Sequence, residues 1–117
     1  MSLRDEILAV DDIEKREITV KRWNNKKVLI KSFNAGERYK VIDKATDEKT
    51  GKVDTTKLTL LMVIASVYDP KTNERLFKDG DYAALEKKSS EVIEVISDVI
   101  RDINGIGEEQ MKATEKN

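Results

Sequence analysis

The spacing of apolar residues between positions 89 and 105 predicts an amphipathic α-helix. Adjacent apolar pairs such as Val92-Ile93 exclude the alternation of a strand, and the polar residues lie on the opposite side. Ser89 or Ser90 is the predicted N-cap, and Asn104-Gly105 supplies the left-handed residue that ends the helix. The apolar residues recur at spacings of three and four and form one stripe: Val92, Val95, Ile96, Val99, Ile100 and Ile103.

A period of two replaces the helical period between residues 17 and 33. Apolar and polar positions alternate there in two runs, and Asn24-Asn25 between the runs tolerates the positive φ of a tight turn. This pattern predicts a β-hairpin. Directly after it, Asn34 is followed three positions later by Glu37, the spacing of a capping box, which predicts a helix over residues 35–45.

The remaining segments are predicted from their apolar content and breakers. Residues 57–68 are apolar around nearly the whole helical circumference, which is typical of a buried central helix. Residues 82–88 are predicted to be helical, and the polar segment at about 46–56 is predicted to be a mobile loop. A short helix is predicted over residues 3–10, with four apolar side chains on one side: Leu3, Ile7, Leu8 and Val10.

These elements predict an α+β fold, a mainly helical single domain with an N-terminal β-hairpin. We expect the hairpin to pack against the predicted helices at 57–68 and 89–104. The globular domain is predicted to span residues 1–107, followed by a charged C-terminal tail over residues 108–117. A chain of 117 residues is long enough to bury such a core without disulfides.

Composition narrows the classes of function. The 22 Lys and Arg residues balance 23 Asp and Glu residues, so a net charge of −1 gives no basic excess for nucleic acid or an anionic membrane. The longest apolar run is far too short to span a bilayer, and the first residues have no apolar signal core. We therefore expect neither a nucleic-acid nor a membrane partner.

The chemistry available to an active site is limited. The sequence has no His and no Cys, which removes the commonest acid–base group, thiol nucleophiles and the usual zinc ligands. Asp79-Gly80-Asp81 lacks the later ligands of a calcium loop and is predicted to be a helix cap. The pairs Asp11-Asp12 and Glu108-Glu109 are predicted to be solvated. We expect no enzymatic activity, no metal and no cofactor.

Two apolar residues of the predicted domain are candidate partner contacts. Trp23 is the only Trp and lies beside the hairpin turn, so it is either an anchor for a partner or a cover for one end of the core. Ile93 lies away from the centre of the stripe on the last helix, and we expect it to be partly exposed. An exposed apolar edge of this kind is a binding surface.

The order of motifs resembles that of the tail assembly chaperones of long-tailed bacteriophages and prophages. The resemblance covers nearly the whole chain. It is carried by Ile18-Thr19-Val20-Lys21-Arg22-Trp23, by the strand that leads into Ala35-Gly36-Glu37-Arg38, by Tyr68-Asp69-Pro70-Lys71-Thr72-Asn73-Glu74-Arg75-Leu76-Phe77, and by Ile103-Asn104-Gly105-Ile106-Gly107-Glu108-Glu109.

The resemblance implies a non-catalytic protein of the bacterial host cytoplasm that is absent from the mature virion. Such chaperones bind the tape measure protein, keep it soluble, help recruit the major tail protein, and are known to self-associate, so a homo-oligomer is expected. The family supplies no site residues, but we predict Ile106 and Met111, near the carboxyl end, as further partner contacts because charged substitutions there should leave the domain folded. The alternatives are a minor structural tail or connector protein and a small cytoplasmic adaptor.

Overall fold

A β-hairpin forms the first part of the sheet in the computed structural model, which describes residues 2–106. Strand β1 (Lys15–Val20) pairs antiparallel with strand β2 (Lys26–Lys31), and a 3-10 turn (Lys21–Trp23) leads from one to the other. Asn24 and Asn25 complete the turn with φ values of 55° and 58°. The predicted hairpin is therefore confirmed, and its turn uses the two residues that the sequence indicated.

The described part of the chain contains five α-helices. Helix α2 begins with the predicted capping box: the Glu37 amide donates to the Asn34 side chain, and the Asn34 amide donates to the Glu37 carboxylate. The α+β prediction is confirmed, since these helices accompany an antiparallel sheet near the N-terminus. The helices are α1 (Leu3–Ala9), α2 (Ala35–Ala45), α3 (Thr55–Ser66), α4 (Tyr82–Glu86) and α5 (Ser90–Ile103).

Helix α3 ends two residues before the predicted position because a third strand begins there. Strand β3 (Val67–Tyr68) pairs antiparallel with β2, which gives the sheet the order β1-β2-β3. Pro70 disfavours helical conformation in the residue before it, and pairing with β2 supplies the hydrogen bonds that a longer helix would have made. The prediction that the helix continues to residue 68 is therefore wrong.

The core lies between the sheet and the helices. Helix α3 is the central element: α2, α4 and α5 all pack on it, and α5 also packs on β1 and β2. The predicted burial of α3 is confirmed, and so is the predicted packing of the hairpin on the last helix. The predicted packing of the hairpin on α3 stays a prediction. The side chains with essentially no exposed surface come from the sheet and three helices, and include Ile30, Val63, Ile64, Val67, Leu85, Ile96 and Ile100.

Helix α5 ends as the sequence predicted and begins differently. Gly105 has a φ of +67°, its amide donates to the Asp102 carbonyl, and the Ile106 amide donates to the Arg101 carbonyl, which together form a Schellman motif. Ser89 is the N-cap residue, but its side chain makes no capping hydrogen bond. The Ser89 hydroxyl instead accepts a hydrogen bond from the guanidinium group of Arg22 on the hairpin turn.

The connection between α2 and α3 is closed by backbone hydrogen bonds. The Asp54 amide donates to the Ala45 carbonyl, and the Asp47 amide donates to the Lys52 carbonyl, each over 2.8 Å. The mobility predicted for residues 46–56 stays a prediction. The tail predicted over residues 108–117 lies outside the described residues.

Candidate partner-binding surface

Trp23 lies at the tip of the hairpin, where the sequence predicted either an anchor or a cover for the core. The 3-10 turn and the two left-handed asparagines after it position the indole ring at the end of the sheet. The ring is half-buried and meets Phe77 edge to face, with 6.3 Å between ring centroids and 77° between planes. Trp23 therefore covers part of the core and also remains partly exposed at the surface.

An open groove of about 950 Å³ lies beside this aromatic pair. We call it the Trp23 groove. Its apolar floor is formed by residues far apart in sequence, and the Leu76 side chain is 41% exposed there. The residues that line the floor are Trp23, Val28, Pro70, Leu76 and Phe77. Such a combination of aromatic and aliphatic surface is suited to the apolar face of a partner segment.

The rim of the Trp23 groove is basic. Four lysines line it, Lys26, Lys27, Lys71 and Lys88, against two acidic residues, Glu17 and Asp69. Among the described residues none of the four lysines forms an ion pair. The Asp69 carboxylate already accepts a hydrogen bond from the Lys71 amide at 2.8 Å. The groove thus combines an apolar floor with positive charge that has no partner within the described chain.

Ile93 does not have the exposure that the sequence predicted. Its side chain is only 7% exposed, whereas Val95, which the sequence placed in the buried stripe, is 56% exposed. Helix α5 packs on both the sheet and α3, and its buried residues include Ile93 but not Val95. Ile93 lies next to Leu60 and Leu85 in a shallow depression. The expectation of a partly exposed Ile93 is therefore wrong, and its contact with a partner stays untested.

Ile106 is half-buried at the opposite end of α5. It lines a crevice of about 20 Å³ with Phe33, Met62 and other residues of α2 and α3. Nearby, the Phe33 amide donates to the Asn104 side chain at 2.8 Å, which ties the end of the hairpin to the end of α5. Ile106 thus closes one end of the core, and its role in partner binding stays a prediction. Met111 lies outside the described residues.

Helix α1 forms a second apolar surface, and sequence reasoning did not foresee its exposure. Leu3, Ile7 and Leu8 of this helix and Val10, which follows it, are 59–71% exposed, and every described residue up to position 12 is exposed. The period of the pattern predicted the helix and its apolar side. A helix with an apolar side usually packs on its own core, so only the structure shows that this one does not.

Two side chains near these surfaces have shifted pKa values. The Lys15 ammonium group, 3.0 Å from the Asp11 carboxylate, and the Ile13 amide hold the pKa of Asp11 below its ordinary value of 3.8. Burial raises the pKa of Tyr68 above its ordinary value of 10.0, and the charge of Glu37 adds to this. Neither shift places a group near neutral pH, so neither indicates an acid–base catalyst.

The described residues contain no group of three or more acidic side chains that is arranged to bind a metal ion. No helix among them is long and apolar enough to cross a membrane. The described part of the chain shows two exposed apolar surfaces, the Trp23 groove and the N-terminal segment with α1, and a set of lysines without ion pairs. These features suit contact with a partner through apolar and electrostatic interactions.

Comparison with known proteins identifies a similar fold. No family model matches the sequence, and no curated protein matches it. A solved structure of the bacteriophage HK97 tail assembly chaperone superposes on the chain with a TM-score of 0.60. The two chains share a fold. The superposition covers 87% of this chain and 98% of the HK97 chain at 11% sequence identity, so the likeness extends over almost the whole of both proteins and is one of structure.

Proposed function

We propose that the chain is a tail assembly chaperone of a long-tailed phage or prophage, which binds the tape measure protein and keeps it soluble during tail assembly. The observation that carries this proposal is the fold shared with the HK97 tail assembly chaperone over 87% of the chain. The order of motifs in the sequence led independently to the same family. In this proposal the protein acts in the cytoplasm of the bacterial host, also contacts the major tail protein, and is absent from the mature virion.

The Trp23 groove is the surface that we assign to the tape measure protein. A chaperone for a helix-rich partner requires apolar surface that accepts the ridges of an amphipathic helix. The floor around Trp23, Leu76 and Phe77 offers such a surface, and the unpaired lysines on its rim favour segments that carry acidic residues beside their apolar ones. A highly charged surface elsewhere keeps such a complex soluble, and charged residues make up 38% of the sequence.

Co-expression with the tape measure protein encoded in the same genome tests the proposal. We expect the tape measure protein to become soluble and to co-purify with the chain. In the variant Leu76→Asp, a charge placed on the groove floor should reduce the soluble fraction strongly. Tyr39→Asp is the matched control, since the Tyr39 side chain is 72% exposed on α2 and does not line the groove.

Three results would contradict the proposal in different ways. If the tape measure protein stays insoluble with the wild-type chain, the chaperone function is wrong. If purified virions contain the chain, the protein is a structural component of the tail rather than a chaperone that leaves before the virion is complete. If wild type rescues the partner and Leu76→Asp rescues it equally well, the function stands and the assignment of the Trp23 groove is wrong.

A further inference from the structure

The outer edge of strand β1 has backbone groups without partners. The Ser32 amide donates to the Glu14 carbonyl over 2.8 Å, so these two residues form a hydrogen-bonded pair of the hairpin. Hydrogen-bonded pairs alternate along an antiparallel ladder, and every second residue of β1 therefore directs its N–H and C=O away from β2. These outward groups have no hydrogen-bond partner within the described residues. The residues that carry them are Lys15, Glu17 and Thr19.

Helix α5 runs along this edge. Arg16, near the start of β1, pairs with Asp102 near the end of α5 at 2.8 Å. Arg22, just after β1, pairs with Glu91 in the first turn of α5 at 3.4 Å. The helix is therefore antiparallel to β1, and the two ion pairs mark the side of the helix that lies next to the edge.

Two valines of α5 lie on the same side, between the two ion pairs. Val95 and Val99 follow Glu91 at intervals of four residues, and Asp102 comes three residues later. Val99 is partly buried, whereas Val95 is 56% exposed. A helix is about 10–12 Å wide and strands are about 4.8 Å apart, so a helix packed on β1 and β2 covers both strands and leaves Val95 beyond the edge. The apolar side of α5 is thus wider than the sheet beneath it.

The exposed surface of α5 beside these valines is acidic. The carboxylates of Glu91, Glu94, Asp98 and Asp102 pair with only three arginines among the described residues, because Glu94 and Asp98 share Arg101. One negative charge is therefore left uncompensated. It favours a partner that brings basic residues to this side of the helix.

From these observations we propose that an extended segment of a partner protein binds along β1 as a fourth strand of the sheet. We call the site the open edge and define it by the outward backbone groups of Lys15, Glu17 and Thr19 and by the side chains of Val95 and Val99. Apolar residues at alternate positions of the segment pack under the two valines. Basic residues at its ends meet the carboxylates of α5, and the backbone hydrogen bonds hold it to β1.

The open edge is a different site from the Trp23 groove. Of the residues that define it, only Glu17 also lines the groove, and Glu17 contributes only backbone groups to the open edge. The two sites also differ in charge, since the groove rim is basic and the helix above the open edge is acidic. The open edge therefore selects a different kind of segment and goes beyond the proposed function.

The probe is a synthetic peptide of about seven residues, in which valine and threonine alternate and each end is a lysine. Two isomers are made, one with N-methyl groups on the valine amides and one with N-methyl groups on the threonine amides. Successive amides of an extended chain point to opposite edges, so each isomer keeps one hydrogen-bonding edge. We expect only one isomer to bind. It is the valine-methylated isomer if the added strand is antiparallel to β1, as the other neighbours in the sheet are.

Amide hydrogen exchange followed by NMR locates the bound peptide. In the free chain, the amides of Lys15, Glu17 and Thr19 should exchange rapidly, while those of Arg16 and Ile18 are protected by the ladder to β2. Saturation with the binding isomer should slow exchange at the first three amides by at least about tenfold. The other isomer should leave them unchanged.

Val95→Asp and Tyr39→Asp are the matched variants of the full-length chain. Their side chains are 56% and 72% exposed, so both variants should fold, which far-UV circular dichroism and thermal melting check. Fluorescence anisotropy of the labelled peptide measures affinity. Val95→Asp should weaken binding roughly tenfold and Tyr39→Asp should leave it unchanged. A peptide with glutamate at both ends should bind more weakly than the one with lysine.

The proposal is overturned if neither isomer binds wild type, if both bind equally well, or if Val95→Asp binds as wild type does. Slow exchange at Lys15, Glu17 and Thr19 in the free chain would also overturn it, because the edge would then be covered by the chain itself or by a second copy. No tail protein is present in this experiment, so its failure leaves the proposed function standing. Conversely, failure of the co-expression with the tape measure protein leaves the open edge standing.

Discussion

The burial of Ile96 on α5 leads to a quantitative prediction about stability. The Ile96 side chain is 0% exposed, whereas its neighbour Val95 is 56% exposed. The sequence pattern placed both residues in the same apolar stripe. Replacing each with alanine therefore tests which face of the helix is buried, at two adjacent β-branched residues.

The expected loss for Ile96→Ala follows from the atoms removed. Deleting three buried carbon atoms costs about 2.4 kcal/mol in transfer free energy at about 0.8 kcal/mol each. The cavity left behind adds to this, since buried Ile→Ala changes in cores cost about 2–5 kcal/mol. The higher helix propensity of alanine returns less than about 0.5 kcal/mol. The free energy of unfolding should therefore fall by about 3 kcal/mol, a large share of the roughly 5–15 kcal/mol of a typical domain.

Val95→Ala should behave differently. Its side chain buries little surface, so the transfer loss is small and the gain in helix propensity offsets it. The free energy of unfolding should remain within about 0.5 kcal/mol of wild type. Urea unfolding followed by far-UV circular dichroism measures both changes, and the fluorescence of Trp23 gives a second probe of the same transition. With a urea dependence of about 1–3 kcal/mol per M, the midpoint for Ile96→Ala should fall by about 1–3 M.

Two results would refute this reasoning. If Val95→Ala loses as much stability as Ile96→Ala, the buried face of α5 is the stripe that the sequence predicted, and the helix is rotated from the orientation described. If Ile96→Ala unfolds within about 0.5 kcal/mol of wild type, Ile96 is not a core residue. A change in the urea dependence itself would report on the denatured state rather than on the core.

Three further predictions follow from hydrogen bonds and charges. The buried Ser66 hydroxyl has no hydrogen-bond partner among the described residues, so Ser66→Ala should raise the free energy of unfolding by about 1 kcal/mol, and a lower thermal midpoint would contradict this. Asn104→Ala removes the acceptor of the Phe33 amide and should cost about 1–3 kcal/mol, measured by urea unfolding. The pKa of Asp11 is lowered in the folded chain mainly by its hydrogen bond to Lys15. The ionised Asp11 carboxylate therefore stabilises the folded chain at pH values above its ordinary pKa of 3.8. This contribution is lost as the pH falls through the lowered pKa of the folded chain. An NMR titration of Asp11 should show the lowered midpoint, and Lys15→Met should raise it towards 3.8.

Signals that act over a few residues were predicted well. The positive φ of Asn24 and Asn25, the capping box of Asn34 and Glu37, and the left-handed Gly105 each depend on hydrogen bonds or backbone freedom within one turn. Because the interactions that form these turns and caps lie within a few residues, the sequence alone predicted them correctly.

Features that depend on distant partners were predicted poorly. Val67 and Tyr68 form a strand because β2 lies beside them. Pro70 restricts only Asp69 before it, so the local sequence did not distinguish this strand from two more helical residues. The buried arc of α5 likewise depends on two neighbours, the sheet and α3, so the pattern found the helix and misplaced Ile93 and Val95. The period of an apolar pattern predicts whether a segment is a helix or a strand, whereas packing against neighbouring elements decides which face of a helix is buried.

The residues of the Trp23 groove also differ in whether the sequence could predict them. Trp23 stood out as a single aromatic residue beside a turn, but the groove requires Leu76 and Phe77, which lie more than fifty residues further along the chain. The lysines of the rim come from the hairpin, the turn after β3 and the end of α4, so no contiguous motif marks them. The sequence thus indicated one residue of the groove, and the fold assembled the rest.

Helix α1 shows how pattern and structure together give more than either alone. An apolar stripe predicts that a helix is buried against something, and α1 has such a stripe while the described chain leaves it exposed. Exposed apolar patches on a surface are typical of sites that bind another molecule. The apolar pattern of α1 and its exposure together therefore indicate a surface for contact with another molecule.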